Sequence, residues 1–168
     1  MFRSNDRREF RIPTPRELAE EYGEPIAEVR DAPAQWLTLF GQQRSDGFLR
    51  CLDLNYHADR ELVAVVQTSR PVPESHYLQV SSSAEAELRV FLSNSGRRDP
   101  DPFRDTFTPG HRSVDISVAG AVTTVEAITS DGCVGAQIPC GSGFLTIATT
   151  DALWPVVADL VLRPPTDY

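Results

Sequence analysis

The chain contains no lysine, and all 16 of its basic residues are arginine. Arginine suits bidentate contacts with anions, but 24 acidic residues outnumber it and leave a net charge of −8. That balance excludes a general binder of nucleic acid or of anionic membranes, because both need a positive surface. No apolar run approaches the roughly 18 residues of a membrane span, and the N-terminus is charged from Arg3 without a following apolar stretch. The expectation is a soluble, cytoplasmic protein. Cysteine is scarce: Cys51, Cys133 and Cys140 are too few and too widely spaced for a disulfide framework, and no C-x-x-C pair occurs. They read as buried or incidental thiols. Walker A, G-x-G-x-x-G, H-E-x-x-H and EF-hand patterns are all missing, so no cofactor is expected.

What is present is a run of well-marked turns. Two-residue hairpin loops favour Gly, Asn or Asp because their central residues need positive φ. Ser113 to Thr149 holds three such pairs, Ala119-Gly120, Asp131-Gly132 and Gly141-Ser142. Each fixes a register: Val114 opposite Val125, Val125 opposite Ile138 and Ala127 opposite Ala136, then Ile138 opposite Leu145 and Ala136 opposite Ile147. With side chains alternating along each strand, one face then collects Val114, Ile116, Val118, Val125, Ala127, Val134, Ala136, Ile138, Leu145 and Ile147. The other carries Asp115, Ser117, Thr124, Glu126, Gln137 and Thr146, and reads as a solvated or partner-binding surface. Three independent turns agreeing on one apolar face predict a four-stranded antiparallel meander. Two details resist it: Ala119 would sit at positive φ, which suggests a bulged or longer loop, and Pro139 cannot donate to a ladder, so pairing should stop there or the strand should lie at an edge.

Upstream, residues 1–12 are too charged to bury much and read as a mobile arm, leaving residues 13–168 as a single β-rich domain. Thr14-Pro15-Arg16-Glu17 is a capping box with proline at the first helical position, and Gly23 stops the helix. Asp46-Gly47 predicts a hairpin with Leu39 opposite Leu54 and Leu37 opposite Tyr56. Trp36 and Phe40 then need a second apolar surface, which the N-terminal helix would supply. Leu62 to Val66 is a continuous apolar run and reads as a strand covered on both faces. Tyr77 to Val80 reads as a further strand. Ala84 to Leu92 alternates perfectly yet has helical composition, and is assigned as strand because Val90 and Phe91 follow. Asn94 to Arg112 is a long connection, and Val156 to Leu162 is a last strand after Trp154-Pro155 has interrupted any helix.

From Leu18 the text Leu-Ala-Glu-Glu-Tyr-Gly-Glu-Pro-Ile-Ala-Glu-Val-Arg resembles the helix-turn-helix of bacterial regulators, in which an L-A-x-x-x-G turn precedes a recognition helix. The resemblance spans about 16 residues and implies a second helix and DNA reading over residues 14–31. The local charge opposes it, because that stretch holds six acidic residues and two arginines. A plain amphipathic helical segment burying Leu18, Tyr22, Ile26 and Val29 is the competing reading.

Two further clusters could carry chemistry. In an extended segment Cys51, Asp53, Asn55, His57 and Asp59 share one face. Asp53, His57 and Asp59 could then bind a metal, or Asp53 could orient His57 as a base; the bland alternative is the polar face of an amphipathic strand ending in a turn. In the long connection Arg97, Arg98 and Arg104 could clamp an anionic partner, although Asp99, Asp101 and Asp105 neutralise them. Gly141-Ser142-Gly143 lacks the context of a nucleophile elbow and reads as a turn. The overall expectation is a mainly β fold, an antiparallel β-sandwich or partly open barrel of about nine strands with one N-terminal helical segment. It would serve as a non-enzymatic binding or assembly accessory protein, engaging a protein partner through Arg97, Arg98, Asp99, Asp101 and Arg104 or through a sheet face. A small enzyme or metal-binding protein using Asp53 and His57 is the alternative, and a regulator using residues 14–31 the third. Self-association is compatible with each.

Overall fold

The computed structural model describes residues 12–70, 84–97 and 109–168. The turn chemistry read from the sequence organises it. Asp46-Gly47, Ala119-Gly120 and Asp131-Gly132 each have positive φ at both residues, the condition for a tight hairpin. A fourth such pair, Asp59-Arg60, closes another hairpin without any glycine, and Gly141 sits at φ +56 in a fifth turn. Ala119 does accept positive φ, at +50, and the strands on either side of it pair up to Val118 and Ala121. The loop there is therefore tight rather than bulged.

These turns connect β2 (Leu37–Ser45), β3 (Phe48–Ala58) and β4 (Glu61–Ser69) into one meander and β5 (Gly110–Val118), β6 (Ala121–Ser130), β7 (Cys133–Cys140) and β8 (Gly143–Thr150) into another. With β1 (Ile26–Val29) and β9 (Asp159–Arg163) they form one nine-stranded sheet in the order β1-β9-β5-β6-β7-β8-β4-β3-β2, rolled into a half-barrel. The architecture is thus mainly β and partly open, a single sheet rather than the two sheets of a sandwich. It is also mixed, because β5 and β9 run parallel. Three short helices accompany it, α1 (Pro15–Tyr22), α2 (Ala84–Asn94) and α3 (Trp154–Val157), where one N-terminal helix was expected.

In the second meander the registers set by Ala119-Gly120 and Gly141-Ser142 are kept: Val114 faces Val125, Ile138 faces Leu145 and Ala136 faces Ile147, whereas the expected pairs Val125–Ile138 and Ala127–Ala136 do not form. Between β6 and β7 the ladder has the expected phase but covers only Ile128↔Gly135 to Ser130↔Cys133. The strands then separate, and Pro139 lies where it needs no partner on β6. The expected apolar face lines the inside of the half-barrel, packed with Leu52, Leu54, Tyr56, Val66 and α1's Leu18 and Tyr22. The inside is closed by side chains. Strand β1 bonds to β9 along one edge and offers the amides of its other edge to β3 and β4: Ala27 N–H donates to Thr68 Oγ1 (3.2 Å) and Val29 N–H to Tyr56 OH (3.0 Å).

Four assignments change. Residues 26–29 are strand, not helix, so the second helix of a helix-turn-helix does not form over residues 14–31. The first helix forms as read, with Thr14 Oγ1 accepting from Glu17 N–H and Glu17 Oε2 from Thr14 N–H, and Gly23 at φ +70. Ala84–Asn94 is a helix, because Leu88, Phe91 and Leu92 bury one stripe while Val90 stays 52% exposed. A strand would have exposed Phe91. In the β2–β3 hairpin, Arg50 is an extra residue opposite Gln43 and Arg44, which shifts the register by one. Leu39 faces Asn55 and Phe40 faces Leu54, so Phe40 and Trp36 turn inward, onto Tyr168 and Tyr56 (ring centroids 5.9 Å apart in each pair) rather than onto α1. Finally, Trp154-Pro155 starts the short helix α3 instead of preventing one, and β9 begins only at Asp159. Residues 1–11 of the expected arm, the strand at residues 77–80 and residues 98–108 of the long connection lie outside the described residues.

Candidate functional site

The outer face of the sheet is where the sequence placed its chemistry. Helix α2 lies across it, burying Leu88, Phe91 and Leu92 on Leu62, Cys133 and Ala148. Gly135 makes that approach possible: a methyl group there would stand 3.0 Å from the Ala84 carbonyl oxygen and 3.1 Å from Leu88 Cβ. On the same face, beyond the polar Asn55 and His57 of β3, strand β2 carries Leu37 and Leu39, which are 59% and 48% exposed. Among the described residues strand β2 is the last of the sheet, and no described strand pairs with its outer backbone edge. Its only charged side chain, Arg44, is taken up in a bidentate pair with Glu21 of α1 (2.6 and 2.7 Å).

Beside the apolar band runs a polar row, one residue per strand: Gln137 on β7, Thr146 on β8, Gln67 on β4 and Asp53 on β3 are successive cross-strand partners. Gln137 Nε2 donates to Thr146 Oγ1 at 3.3 Å. Thr146, expected on a solvated surface, is buried, whereas Glu126 is exposed. Gln67 is fully buried at 0% exposure. Glu87 of α2 joins the row from above: its carboxyl senses the charge of Asp53, and both carboxyls feel the Gln67 carboxamide. Burial pushes Asp53 above the ordinary carboxylate range, against the opposing pull of Gln67 and Gln43. Burial also raises Glu87, and the Asp53 charge adds to it. Neither Gln67 Oε1 nor Nε2 reaches a hydrogen-bond partner, nor does Asp53 Oδ1, although all three atoms are shut off from solvent. Asp53 Oδ2 accepts only a long 3.4 Å contact from Gln43 Nε2.

The sequence candidates on β3 are therefore brought to one face but not to one point. Asp53, Asn55 and His57 alternate along it as expected. Three residues lie between Asp53 and His57, four steps of about 3.3 Å or roughly 13 Å, which is too far for a carboxylate to orient an imidazole. Asp59 lies in the β3–β4 turn at φ +50, exposed. Among the described residues, no group of three His, Cys, Asp or Glu side chains could hold a metal ion. Cys51 is pushed up to about 12 by burial and by the charges of Asp53 and Glu87, so it stays a thiol and is no nucleophile at neutral pH.

No family model matches this chain, nor does any curated protein or solved structure. The site has to be read from its own chemistry.

The Arg/Asp cluster is represented by Arg97 alone, just past α2, where its Nη1 stands 3.3 Å from Cys133 Sγ. Arg98, Asp99, Asp101 and Arg104 lie outside the described residues. Ser142 is accounted for by structure: its hydroxyl bonds the Glu24 carboxylate (3.1 and 3.3 Å), and a side chain at Gly143 would collide with the Ser69 carbonyl. Gln67 and Glu87 were missed. Gln67 directly follows the apolar run Leu62 to Val66, a detectable signal, whereas Glu87 fell in a segment that was read as strand and is helix.

Proposed function

We propose that this chain is a non-enzymatic binding or assembly accessory protein that engages a protein partner through the outer face and free edge of β2. The observation that carries the reading is the pair Leu37 and Leu39, exposed side by side on a terminal strand whose neighbouring apolar surface is covered by α2. Edge strands that remain single are commonly protected by charge, proline or an inward-pointing charged residue. Leu37 to Gln43 has none of these. An extended partner segment could add to the edge through backbone hydrogen bonds, with alternate side chains meeting Leu37 and Leu39.

The test is affinity capture of the tagged full chain from its host's lysate, with Leu37→Glu/Leu39→Glu beside the wild type. The expected result is a stoichiometric partner retained by the wild type and lost by the variant. A partner held equally by both would overturn the β2 reading and transfer the interface to the segment containing Arg98 and Arg104, which a deletion of residues 98–104 would then lose. A wild type that emerges alone would overturn the accessory role itself.

A further inference from the structure

Strand β5 is paired along its whole length on one side only. On the β6 side the ladder runs from Gly110 to Val118, whereas on the β9 side only Ser117 and Val118 have partners. The chain reaches that side by way of α3 and joins the sheet at Asp159, so the lane beside His111 to Asp115 holds no strand among the described residues. The tight turn at Ala119-Gly120 fixes which backbone groups face this lane. It makes Val118 and Ala121 a hydrogen-bonded pair, so the even-numbered residues of β5 bond to β6 and the odd-numbered ones turn the other way. Three contacts agree: Ser117 N–H donates to the Ala158 carbonyl (2.8 Å), Ala119 N–H to the Leu160 carbonyl (2.9 Å), and the Asp115 carbonyl accepts from Trp154 Nε1 (3.2 Å). Farther up the strand, the N–H of Asp115 and both backbone groups of Ser113 point into the lane, and no described backbone group bonds them. A groove of about 510 Å³ fills the lane, with Trp154 and Pro155 as its far wall and the 65%-exposed Val122 at its rim. Five residues of strand span roughly 16 Å, the length of a short extended peptide. Charge narrows the occupant further. Arg112 is paired with Asp151 (2.8 Å) and Asp159 with Arg30 (3.2 Å), but the exposed Asp115 carboxylate has the Thr124 hydroxyl (2.6 Å) and no cation among the described residues. The groove therefore keeps one uncompensated negative charge, on a chain of net charge −8, which disfavours a second copy and favours a basic segment.

We propose that the lane beside β5 is a docking groove for an extended peptide segment of a partner protein, one that carries an arginine or lysine across from Asp115. The segment adds as an antiparallel strand: its residue opposite Ser113 exchanges both backbone hydrogen bonds, and Asp115 N–H donates to the residue opposite it. Directly opposed residues project from the same face of a sheet, so the cation across from Asp115 meets that carboxylate. Its neighbours turn to the other face, that of Val114 and Trp154. The Asp115 carbonyl, already held by Trp154, marks where the guest strand gives way to α3. This groove is separate from the edge of β2 and does not rest on the reading of that edge.

The experiment is an NMR titration of the full chain with the peptide acetyl-Thr-Val-Arg-Val-Thr-amide and, separately, with the same peptide carrying Glu in place of Arg. The expected result is saturable binding of the Arg peptide in the millimolar range, which shifts the Ser113 and Asp115 amides and slows their exchange. The Ser117 and Ala119 amides, already bonded, should keep their exchange rates. The Glu peptide should bind at least about threefold more weakly, the discrimination of one cross-strand charge pair, and Asp115→Asn should abolish the difference. Ser113→Pro removes a donor that faces the lane and leaves the ladder to β6 alone, the position at which a strand tolerates proline. It should lose binding while the β6 amides stay protected; should that variant not fold, the Asp115→Asn comparison decides. Leu37→Glu/Leu39→Glu should bind as the wild type does. Ser113 and Asp115 amides that already exchange slowly in the chain without peptide would show that the chain or a second copy fills the lane, and would overturn the proposal. Equal binding of the two peptides, undiminished binding by a folded Ser113→Pro, or shifts at Leu37 to Gln43 in place of β5 would each overturn it as well.

Discussion

The two faces of this sheet are built by opposite rules. The inner face is mainly apolar, and several of its polar groups are bonded: Thr68 and Tyr56 hydroxyls accept β1 amides, and Trp154 Nε1 donates to the Asp115 carbonyl at 3.2 Å. The outer face is part apolar band and part polar row, only partly roofed by α2, and it leaves three buried polar atoms on Asp53 and Gln67 unbonded. On the binding reading proposed above, the stability of the fold and the binding of a partner belong to different faces, and substitutions test that separation.

The largest effect should come from breaking the inner face. Leu54→Ala or Ile147→Ala removes a fully buried side chain from the main core and should cost about 2–5 kcal/mol, measured by chemical denaturation. The capture of any partner by the remaining folded fraction should be unchanged. Next, Gly135→Val should destabilise by about 1–3 kcal/mol through overpacking against Ala84 and Leu88. Because that clash falls on the outer face, hydrogen exchange should quicken in α2 while β1 and β9 keep their protection; uniform quickening would show that the faces are not separable. Tyr56→Phe strips the hydroxyl from the Val29 amide and should cost about 0.5–1.5 kcal/mol.

A smaller effect of opposite sign should follow from Asp53→Asn. The folded-state pKa of Asp53 and of Glu87 is raised, so the folded chain holds protons that the unfolded chain releases. Stability from this pair is therefore fully present below the ordinary carboxylate range and falls as pH rises through the raised values. Asp53→Asn should lose the Asp53 share of that decline, with Glu87 still titrating, and be the more stable protein at neutral pH. Thermal melts of both proteins between pH 4 and pH 8 check it, and a wild type that gains stability over its variant on raising the pH would contradict it. Least of all, Leu37→Glu/Leu39→Glu should change stability by no more than about 0.5 kcal/mol, as exposed substitutions do, while abolishing capture.

The same contrast between faces explains what the sequence revealed. The inner face of the β5–β8 meander was legible because turn residues set register and register sets alternation; ten side chains from Val114 to Ile147 fell on one side by that logic alone. The β2–β3 hairpin was legible as a hairpin but not in phase, since a bulge at Arg50 leaves no mark in the turn that precedes it. Helix α2 was misread because alternation over Ala84 to Leu92 coincides with a helical stripe at Leu88, Phe91 and Leu92, and only the surface waiting beneath decides between them. The joins β4 to β8, β9 to β5 and β1 to β9 bring together residues far apart in the chain, about which local pattern is silent. Asp53 and His57 lie on one face of β3, as alternation implies, but too far apart along the strand for one to orient the other. Gln67 and Glu87 could not be added before the sheet order and the helix were known.

The closure of the half-barrel by hydroxyl groups gives it two clocks. Ala27 and Val29 amides are released when two side-chain contacts break, whereas the Arg30 amide, bonded to the Asp159 carbonyl at 2.9 Å, is released only when β1 leaves β9. Exchange of the first pair with solvent thus times the parting of β1 from β3 and β4, and exchange at Arg30 times the loss of the strand itself. In one short element, two neighbouring amides report two different openings of the same molecule.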